Sequence, residues 1–430
     1  MARILPFRAV MFDRDDRDFT PVTAPPYDVI SPEQRRALLA KDPHNVVALE
    51  LPEGPLDPTA PDNRYETGSR RWREWLSTGV LRTDDTPAIY VLEQTWEHEG
   101  RRIRRKAFVG AVELRPFADG VVLPHERTLP KALDDRLNLT RSTAANLSQV
   151  FSLFSDAARV SDAVFDRALA GEPLMYATDS DSVTSRVWAV RDADDIRALV
   201  DLLAEQPVFI ADGHHRYTTA LAYRDERRRA DGRALVGEEP VAAYDHVMMA
   251  LVNMDDPELV VLPTHRVVRT GPGFDAESFW SRLSEHFEIA DPTGSAANEL
   301  LSAERTAFVV KTPDGVERLA RLRDQSDPGR IIGGTHSNAW KRLDVTVLQE
   351  MILAPLFGVH PDEPATLDRL RFVKEGHTAL EVAPDEIAFM MRATAMDELR
   401  AVALNGETMP QKSTYFYPKL LSGLLMRSLD

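Results

Sequence analysis

The 430-residue sequence contains no cysteine, so disulfide bonds, thiolate metal ligands and cysteine nucleophiles are all excluded. It also lacks any apolar run approaching the roughly 18 residues that a membrane-spanning helix requires, so no membrane partner is expected. The beginning of the chain, MARILPFRAVMFD, has neither the long apolar core nor the small-residue cleavage site of a signal peptide. These absences predict a cytoplasmic protein.

Acidic residues outnumber basic residues. The chain has 52 Lys and Arg residues against 68 Asp and Glu residues, which gives a net charge of −16. Because nucleic-acid phosphates are bound by clustered Lys and Arg, this composition argues against a nucleic-acid partner. The hydrophobic content of 43% and the charged content of 28% are typical of a soluble globular protein, and the length is sufficient for two or three domains.

The most informative stretch is VFIADGHHRYTTALAYRDERRR, at residues 208–229, where a short apolar run meets a dense polar cluster. Residues 208–210 are typical of the end of a buried strand, and the residues from Tyr217 onwards are typical of a helix with an apolar face. The cluster between them, named the DGHHR motif, therefore lies in a tight turn and at the N-terminus of a helix. The motif consists of Asp212, Gly213, His214, His215 and Arg216.

The DGHHR motif indicates an anion-binding site. A helix N-terminus presents free backbone N–H groups and the positive end of the helix dipole, and a glycine there lets a phosphate approach the backbone closely. Two alternatives stay open. Asp212 can simply cap the helix, and two imidazoles with a carboxylate can bind zinc or iron, although adjacent residues on a helix point about 100° apart. The sequence leaves the presence of a metal unknown.

A second polar cluster, PHERT at residues 124–128, follows the apolar run at residues 121–123. It again places a carboxylate and an imidazole just beyond a predicted strand. A charged surface loop would have the same composition, so this cluster indicates no function by itself.

A rigid approach to a helix is predicted in TAPPYDVISPEQRRALL, at residues 23–39. Ser31 is suited to be the N-cap of this helix, and Pro32 is suited to its first position. Tyr27 and Asp28 would lie on the approach, which either aims the helix or contributes to a site.

Near the end of the chain, MPQKSTYFYPKLLSGLL at residues 409–425 is predicted to be a proline-bounded loop. Lys412, Ser413, Thr414 and Lys419 would suit contact with an anion or a substrate. A docked C-terminal tail is the alternative.

Hydrophobic periodicity predicts an α/β to α+β fold in which mixed sheets combine with helices. Residues 87–115 indicate a long β-hairpin that turns near Gly100, and residues 182–229 alternate strand, helix, strand and helix, as an α/β layer requires. The last third of the chain mixes helices with strand pairs, including a hairpin at residues 307–322, and is expected to be α+β.

Three regions are expected along the chain: an N-terminal α/β segment at residues 1–86, a central region at residues 87–240 and a C-terminal α+β region at residues 241–430. The central region carries the PHERT and DGHHR motifs. Residues 43–52 are predicted to form a short strand, and residues 345–356 an apolar helix.

Five segments, in this order, resemble the bacterial and archaeal domain of unknown function 1015 family. They are APPYDVIS, LPHERT, ADGHHRYTTALAYR, LPTHR and PQKSTYFYPKL, at residues 24–31, 123–128, 211–224, 262–266 and 410–420. The resemblance spans nearly the whole chain, and membership implies no established activity. A wider similarity is to free-serine kinases of the ParB and sulfiredoxin superfamily, in which an acidic residue in a PHE-type motif precedes a DGHHR-type motif that opens a helix.

The similarity to free-serine kinases implies a ParB/sulfiredoxin-like core with large insertions, because a long stretch of chain separates the two motifs here. In those kinases the helix-opening motif holds nucleotide phosphates, and the glutamate is the base toward the substrate hydroxyl. Glu126 would be that base, and Asp212 and His214 are also assigned to catalysis. With the segments described above, the expected cofactor-binding residues are Gly213, His215, Arg216, Lys412, Ser413, Thr414 and Lys419. The expected substrate-binding residues are Tyr27, Asp28, His125, Thr128, His265 and Arg266.

The leading hypothesis is a phosphotransferase that uses ATP or ADP with Mg²⁺ and acts on a small hydroxy compound, in the manner of a free-serine kinase. Phosphoryl transfer depends mainly on positioning and on electrostatic stabilisation, which a helix N-terminus, cationic side chains and one carboxylate can supply. One alternative is a nucleotide-binding regulator without transfer chemistry, which needs the DGHHR motif but not Glu126. Another is a metal-dependent hydrolase that uses His125, His214 and His265.

Overall fold

The structure, a computed structural model, describes residues 2–126, 130–235, 237, 239–360, 366 and 368–430, without the side chains of residues 130–132 and 377. The chain forms two compact units. The first unit comprises Met1–Pro124, Thr128–Leu259 and Pro418–Asp430, and the second comprises His125–Arg127 and Val260–Tyr417. The division into three regions that the sequence suggests stays a prediction.

The strands are short except for one long hairpin. They are β1 (Ile4–Leu5), β2 (Val10–Phe12), β3 (Leu81–Thr83), β4 (Ile89–His98), β5 (Arg101–Glu113), β6 (Val122–Leu123), β7 (Ala145–Asn146), β8 (Val150–Phe154), β9 (Met175–Thr178), β10 (Thr184–Val190), β11 (Val208–Asp212), β12 (His246–Asn253), β13 (Val260–Leu262), β14 (His265–Arg269), β15 (Phe287–Ala290), β16 (Ala307–Lys311), β17 (Glu317–Leu322), β18 (Leu370–Val373), β19 (Glu386–Met390), β20 (Tyr415–Tyr417) and β21 (Arg427–Ser428).

The helices fall between these strands. They are α1 (Pro32–Lys41), α2 (Val47–Glu50), α3 (Arg64–Ser77), α4 (Pro130–Thr143), α5 (Val160–Leu169), α6 (Ala193–Ala204), α7 (His214–Ala230), α8 (Ala276–Leu283), α9 (Ala296–Leu301), α10 (Pro328–Ile331), α11 (Asn338–Lys341), α12 (Asp344–Val347), α13 (Ala354–Phe357), α14 (Gly376–Ala379) and α15 (Met396–Leu404). Short 3₁₀ turns cover Tyr27–Val29, Phe117–Asp119 and Ala243–Asp245, and a π-helical turn covers Leu348–Leu353.

A mixed sheet organises the first unit. Within the described part of the chain it has the strand order β6-β11-β8-β12-β5-β4-β10-β9, and β1 pairs with β5. β11 runs parallel to β6, and β12 runs parallel to β8, whereas the other pairs are antiparallel. The long hairpin β4-β5 turns at Glu99 and Gly100, as the sequence predicts, and both residues have a positive φ. This mixture of sheets and helices confirms the expected fold class.

The core of the first unit lies between this sheet and helices α5, α6 and α7. Phe165 of α5, Leu199 and Leu203 of α6, and Tyr217 of α7 are buried with apolar strand residues such as Phe108. Burying such a side chain contributes roughly 1.5–3 kcal/mol, so this apolar face fixes the position of α7 on the sheet.

The N-terminal segment begins its first helix as predicted. Ser31 and Gln34 form a capping box around Pro32 at the start of α1. The strand expected at residues 43–52 is wrong, because α2 occupies part of that run and all four of its residues are buried. A short apolar run that is buried on every side has no hydrophobic periodicity by which a strand could be distinguished from a helix. At the start of this helix, the side chain of Asn45 accepts a hydrogen bond from the backbone N–H of Val47, the first residue of α2.

The C-terminal end of the chain is part of the first unit. Met426 forms a bridge with Val10, Ser422 forms one with Ala24, and β21 pairs with β7. The docked tail that the sequence offered as an alternative is therefore present, and it carries Lys419.

The second unit contains an antiparallel sheet with the order β15-β17-β16-β19-β14-β18, and a separate pair of β13 and β20, in the described ranges. The hairpin expected at residues 307–322 is confirmed as β16-β17. The helix expected at residues 345–356 is correct in extent, but a π-helical turn interrupts it. The expected loop at residues 409–425 contains the short strand β20. No helix in the described ranges combines the length and apolar character needed to cross a bilayer.

Candidate functional site

The DGHHR motif lies where a buried strand becomes a helix. β11 ends at Asp212, Gly213 has a φ of +91°, and α7 begins at His214. L-residues rarely adopt such a φ, and a Cβ atom added at Gly213 would lie 2.7 Å from Nε of Arg216. Glycine is therefore favoured here by the backbone conformation, and the Arg216 guanidinium approaches it closely.

The carboxylate of Asp212 accepts hydrogen bonds from two cationic side chains. Its Oδ2 atom lies 2.8 Å from Nη2 of Arg216, and its Oδ1 atom lies 2.8 Å from Nζ of Lys419. Burial by itself would raise the pKa of Asp212, but the charges of Lys419 and Arg216 outweigh it and hold the pKa well below its usual value. Asp212 is therefore ionised, and these three side chains carry one unit of positive charge in total.

Arg216 is held on two sides. Besides Asp212, it donates from Nη1 to the backbone oxygen of Gln149. Its Nε atom is buried and has no hydrogen-bond partner in the described part of the chain. A fixed guanidinium of this kind can bind an anion without first losing much side-chain freedom.

Lys419 reaches Asp212 because buried side chains bind the backbone of its segment. Nη2 of Arg105 lies 2.6 Å from the carbonyl oxygen of Pro418, and Nε2 of Gln94 lies 3.3 Å from that of Lys419 itself. Nε2 of Gln149 lies 3.1 Å from the carbonyl oxygen of Leu421. Burial lowers the pKa of Arg105 to about 9. Three side chains thus fix the register of the segment that presents Lys419.

The two histidines of the motif differ in exposure. His214, the first residue of α7, is buried, whereas His215 is half-buried. The charge of His214 contributes to lowering the pKa of Asp212. The pair therefore lies on different sides of the helix start, as adjacent helical positions require.

A small cavity adjoins the motif within the first unit. Tyr27, Glu50, Arg136, Arg216 and Thr219 are among the residues that line it, and its volume is about 50 Å³. The Tyr27 ring lies over the Arg136 guanidinium, 4.2 Å from ring centroid to Cζ. The structure therefore brings the predicted residues Tyr27 and Arg216 to the same cavity.

The other predicted residue of that segment, Asp28, is exposed. It lies in the same 3₁₀ turn as Tyr27.

The second unit brings together the other predicted residues. His125 is buried, and its Nε2 atom lies 3.0 Å from Oγ1 of Thr414 and 3.9 Å from Oε1 of Glu126. The His125 ring also meets the ring of Phe416 edge-on. His125 and Thr414, far apart in sequence, are thus neighbours.

Arg266 joins the same cluster. It is buried, and it donates to the backbone oxygens of Thr264, Gln411 and Lys412. Burial lowers the pKa of Arg266 to about 10, although the charge of Glu126 acts in the opposite direction. The hydroxyl of Ser413 donates to the backbone oxygen of Pro410, and Lys412 has a φ of +57°. The relation of Lys412, Ser413 and Thr414 to the DGHHR motif stays a prediction.

His265 is a buried residue at the start of β14. Its Nδ1 atom accepts a hydrogen bond from the backbone N–H of Met391 at 3.1 Å. Burial, together with the charge of Arg266, lowers the pKa of His265 to about 4, so its ring is neutral at physiological pH. Thr128 lies outside the described residues. No group of three or more His, Cys, Asp or Glu side chains suited to a metal ion occurs in the ranges that the structure describes.

Several residues around the DGHHR motif were not predicted from the sequence. Arg105 belongs to an arginine run that has the composition of an exposed face, yet it is buried. Gln94, Gln149, Glu50 and Arg136 lie in unremarkable sequence surroundings. Only their long-range contacts show their importance, and no local pattern could have found them.

The DGHHR motif is thus a strand-to-helix junction in a mixed α/β protein, with one buried carboxylate between two cationic side chains. The family described as "Protein of unknown function (DUF1015)" matches residues 4–346. Because this match covers well over half of the chain, the chain belongs to that family. Among curated proteins, no sequence matches this chain.

Solved structures that the chain resembles are remote in sequence. SbnI with a C-terminal truncation, from Staphylococcus aureus, is 11% identical with a TM-score of 0.36, over 74% of this chain and 86% of that chain. A free serine kinase variant in complex with ADP is 12% identical with a TM-score of 0.33, over 69% and 84%. A conserved hypothetical protein from Pyrococcus furiosus is 12% identical with a TM-score of 0.31, over 70% and 90%. Likenesses this distant carry no argument about activity.

Proposed function

We propose that this protein is a nucleotide-dependent phosphotransferase that acts on a small hydroxy compound, with ATP or ADP as the phosphoryl donor. One observation carries the proposal: the carboxylate of Asp212 is held between Lys419 and Arg216 at the start of α7. Two cations, a helix N-terminus and a glycine in one place are the groups that phosphate binding uses.

Nucleotide binding would change the hydrogen-bond partners of Lys419 and Arg216. A nucleotide phosphate that approaches the N-terminus of α7 meets the positive end of the helix dipole, and Gly213 leaves room for close contact. Lys419 and Arg216 then share their hydrogen bonds between Asp212 and the phosphate oxygens. The net positive charge of the three side chains favours this arrangement.

Asp212 suits a further role with Mg²⁺. Mg²⁺ is usually held by one or two carboxylates together with the substrate phosphates, so a single carboxylate beside a phosphate site fits this metal. Mg²⁺ held there by Asp212 would supply positive charge against the negative charge that develops on transfer.

Glu126 is the proposed general base. It takes the proton of the acceptor hydroxyl as that oxygen forms a bond to the transferred phosphorus. The bond from phosphorus to the nucleotide oxygen breaks, and the shortened nucleotide leaves with the electron pair. The position of Glu126 in a PHE-type motif, as in the free-serine kinases that the sequence resembles, supports it as the candidate.

Nucleotide binding tests the proposal. ATP and ADP should bind the wild type and raise its melting temperature, because a ligand that binds only the folded state stabilises it. His215→Ala combined with Arg216→Ala should abolish both effects without unfolding the protein. The matched control is Arg227→Ala combined with Arg229→Ala, which removes cations from the other end of α7 and should leave binding unchanged. Equal nucleotide binding by both double variants would show that the nucleotide binds outside the DGHHR motif.

A nucleotide-binding regulator without transfer chemistry is the second candidate. The contacts among Asp212, Arg216 and Lys419 all lie within the first unit, whereas Glu126 belongs to the second, so phosphate binding by this group does not depend on the base. Stoichiometric nucleotide binding without turnover of any hydroxy compound would favour this candidate. The metal-dependent hydrolase has no support, because no cluster of metal-ligating side chains occurs in the described ranges.

A further inference from the structure

The cavity beside the DGHHR motif is built from separate parts of the first unit. Tyr27 comes from the 3₁₀ turn, Glu50 from α2, Arg136 from α4, and Arg216 and Thr219 from α7. Its volume of about 50 Å³ corresponds to roughly four water-sized atoms at 10–15 Å³ each. It is therefore far too small for a nucleobase but large enough for one small polar group.

The charges around this cavity are fixed by buried contacts. Arg136 donates to the backbone oxygen of Glu50 at 2.9 Å, and its Nη1 atom lies 3.6 Å from the carboxylate of Glu50. It also donates from Nε to Asp135 at 2.9 Å. Arg136 and Glu50 are 5% and 3% exposed, so neither can turn away into solvent. With Arg216 included, two cations and one carboxylate line the cavity, and each cation also pairs with a carboxylate outside the lining, Arg136 with Asp135 and Arg216 with Asp212.

Neutral hydroxyl groups complete the lining. Thr219 is buried, and its Oγ1 atom has no hydrogen-bond partner in the described ranges. A buried hydroxyl without a partner costs free energy, so its presence beside a polar cavity points to a ligand that supplies the partner. Burial raises the pKa of Tyr27 to about 12, so its phenol stays protonated and can donate a hydrogen bond.

We propose that this cavity binds the carboxylate group of a small monocarboxylic acid, which is the acceptor of the phosphotransferase proposed above. Two guanidinium groups line the cavity, and planar carboxylates suit guanidinium groups. A phosphate dianion is disfavoured, because the fixed carboxylate of Glu50 repels a second negative charge more strongly. Arg216 would then belong to both the nucleotide site and the acceptor site, since it contacts Asp212 and also lines this cavity. The acceptor is thereby narrowed to a hydroxy acid.

The test uses the full-length protein, with acetate, glycolate and inorganic phosphate as probes in separate NMR titrations without nucleotide. Acetate and glycolate should saturate one site, and phosphate should bind it more weakly. Thr219→Val keeps the side-chain volume and should weaken glycolate binding about 3- to 10-fold, the effect of one hydrogen bond. Thr218→Val is the matched control, because the Thr218 hydroxyl also has no partner in the described ranges but Thr218 is not among the residues lining the cavity. Glycolate affinity should be unchanged in that variant.

Glu50→Gln tests the charge argument separately. It keeps the shape of the side chain and removes the negative charge of the carboxylate that lines the cavity. Phosphate affinity should therefore rise about tenfold or more, and it should rise more than glycolate affinity. An unchanged preference between the two anions would overturn the assignment. Absence of saturable carboxylate binding in the wild type, or equal losses in Thr219→Val and Thr218→Val, would also overturn it.

This inference rests on the proposed function only for the identity of the ligand as the acceptor, and the two can fail separately. Nucleotide binding at the DGHHR motif without carboxylate binding would overturn the inference and leave the proposed function intact. The opposite result is that the cavity binds carboxylates, with the predicted effects of the three variants, while the protein binds no nucleotide. That result would support the carboxylate site and overturn its role in phosphoryl transfer.

Discussion

Lys419 Nζ lies 2.8 Å from Asp212 Oδ1, although 207 positions separate the two residues in the sequence. The ion pair joins the C-terminal tail to the turn between β11 and α7. It gives the DGHHR motif a second cation that the motif itself does not encode, and it makes the tail part of the candidate site.

Removing the charge of Lys419 should weaken nucleotide binding. In Lys419→Met, Asp212 keeps Arg216 as its partner, but the phosphates lose one charge-assisted hydrogen bond, so affinity for ADP should fall about tenfold or more. Calorimetric titration measures this. Lys106→Met is the matched control, since Lys106 pairs with Asp162 at 2.7 Å elsewhere in the first unit. Equal affinities in the two variants would show that Lys419 has no part in binding.

Gly213→Ala should be more harmful than an ordinary glycine substitution. Both Gly213 and Gly232 have a positive φ, which costs an alanine about 1–2 kcal/mol, but an added Cβ meets Arg216 only at Gly213. Gly213→Ala should therefore destabilise the protein more than Gly232→Ala and should also lower nucleotide affinity. Urea unfolding and calorimetry of both variants check this, and matching losses of stability would contradict the close approach of Arg216.

The depressed pKa of Asp212 predicts a dependence of stability on pH. Because the folded-state pKa is below the unfolded value of about 3.9, the ionised carboxylate contributes stability that is fully present above that value. The contribution is lost as the pH falls through the folded-state pKa. The stability difference between the wild type and Asp212→Asn should therefore be constant from pH 5 to 7 and shrink below about pH 4. A constant difference down to pH 3, measured by urea unfolding, would argue against the ion pairs.

His265 should behave as a buried neutral imidazole. Its pKa of about 4 lies below the unfolded value of about 6.5, so the unfolded chain binds the proton more readily between these values. The stability that this group supports is complete above about pH 6.5 and is lost as the pH falls toward 4. Nitrogen-15 NMR of the histidine rings should show His265 neutral at pH 5.5, and a titration near 6.5 would contradict its buried environment.

Glu126→Gln should separate chemistry from binding. A general base typically contributes a hundredfold to ten thousandfold in rate, so turnover should fall by that order once an acceptor has been found. Nucleotide affinity should remain nearly unchanged, because the phosphate site consists of other residues. A variant that keeps full turnover would remove Glu126 from the mechanism.

Local chemistry made much of this fold predictable. The N-cap at Ser31, the turn at Gly100 and the strand-to-helix junction at Gly213 depend on neighbouring residues, and the sequence predicts all three. The helical state of residues 47–50 was missed, because its buried surroundings are set by distant parts of the chain. The side chains that bind the backbone around Lys419 were missed for the same reason. Arg105 binds a carbonyl group 313 positions away, and no local pattern reports such a contact.

A crystal structure of the wild type with ADP would show whether the DGHHR motif binds phosphate. The terminal phosphate should lie at the first turn of α7, within hydrogen-bond distance of Lys419 and Arg216. ADP phosphates bound away from the DGHHR motif, with the Asp212 ion pairs unchanged, would contradict this prediction.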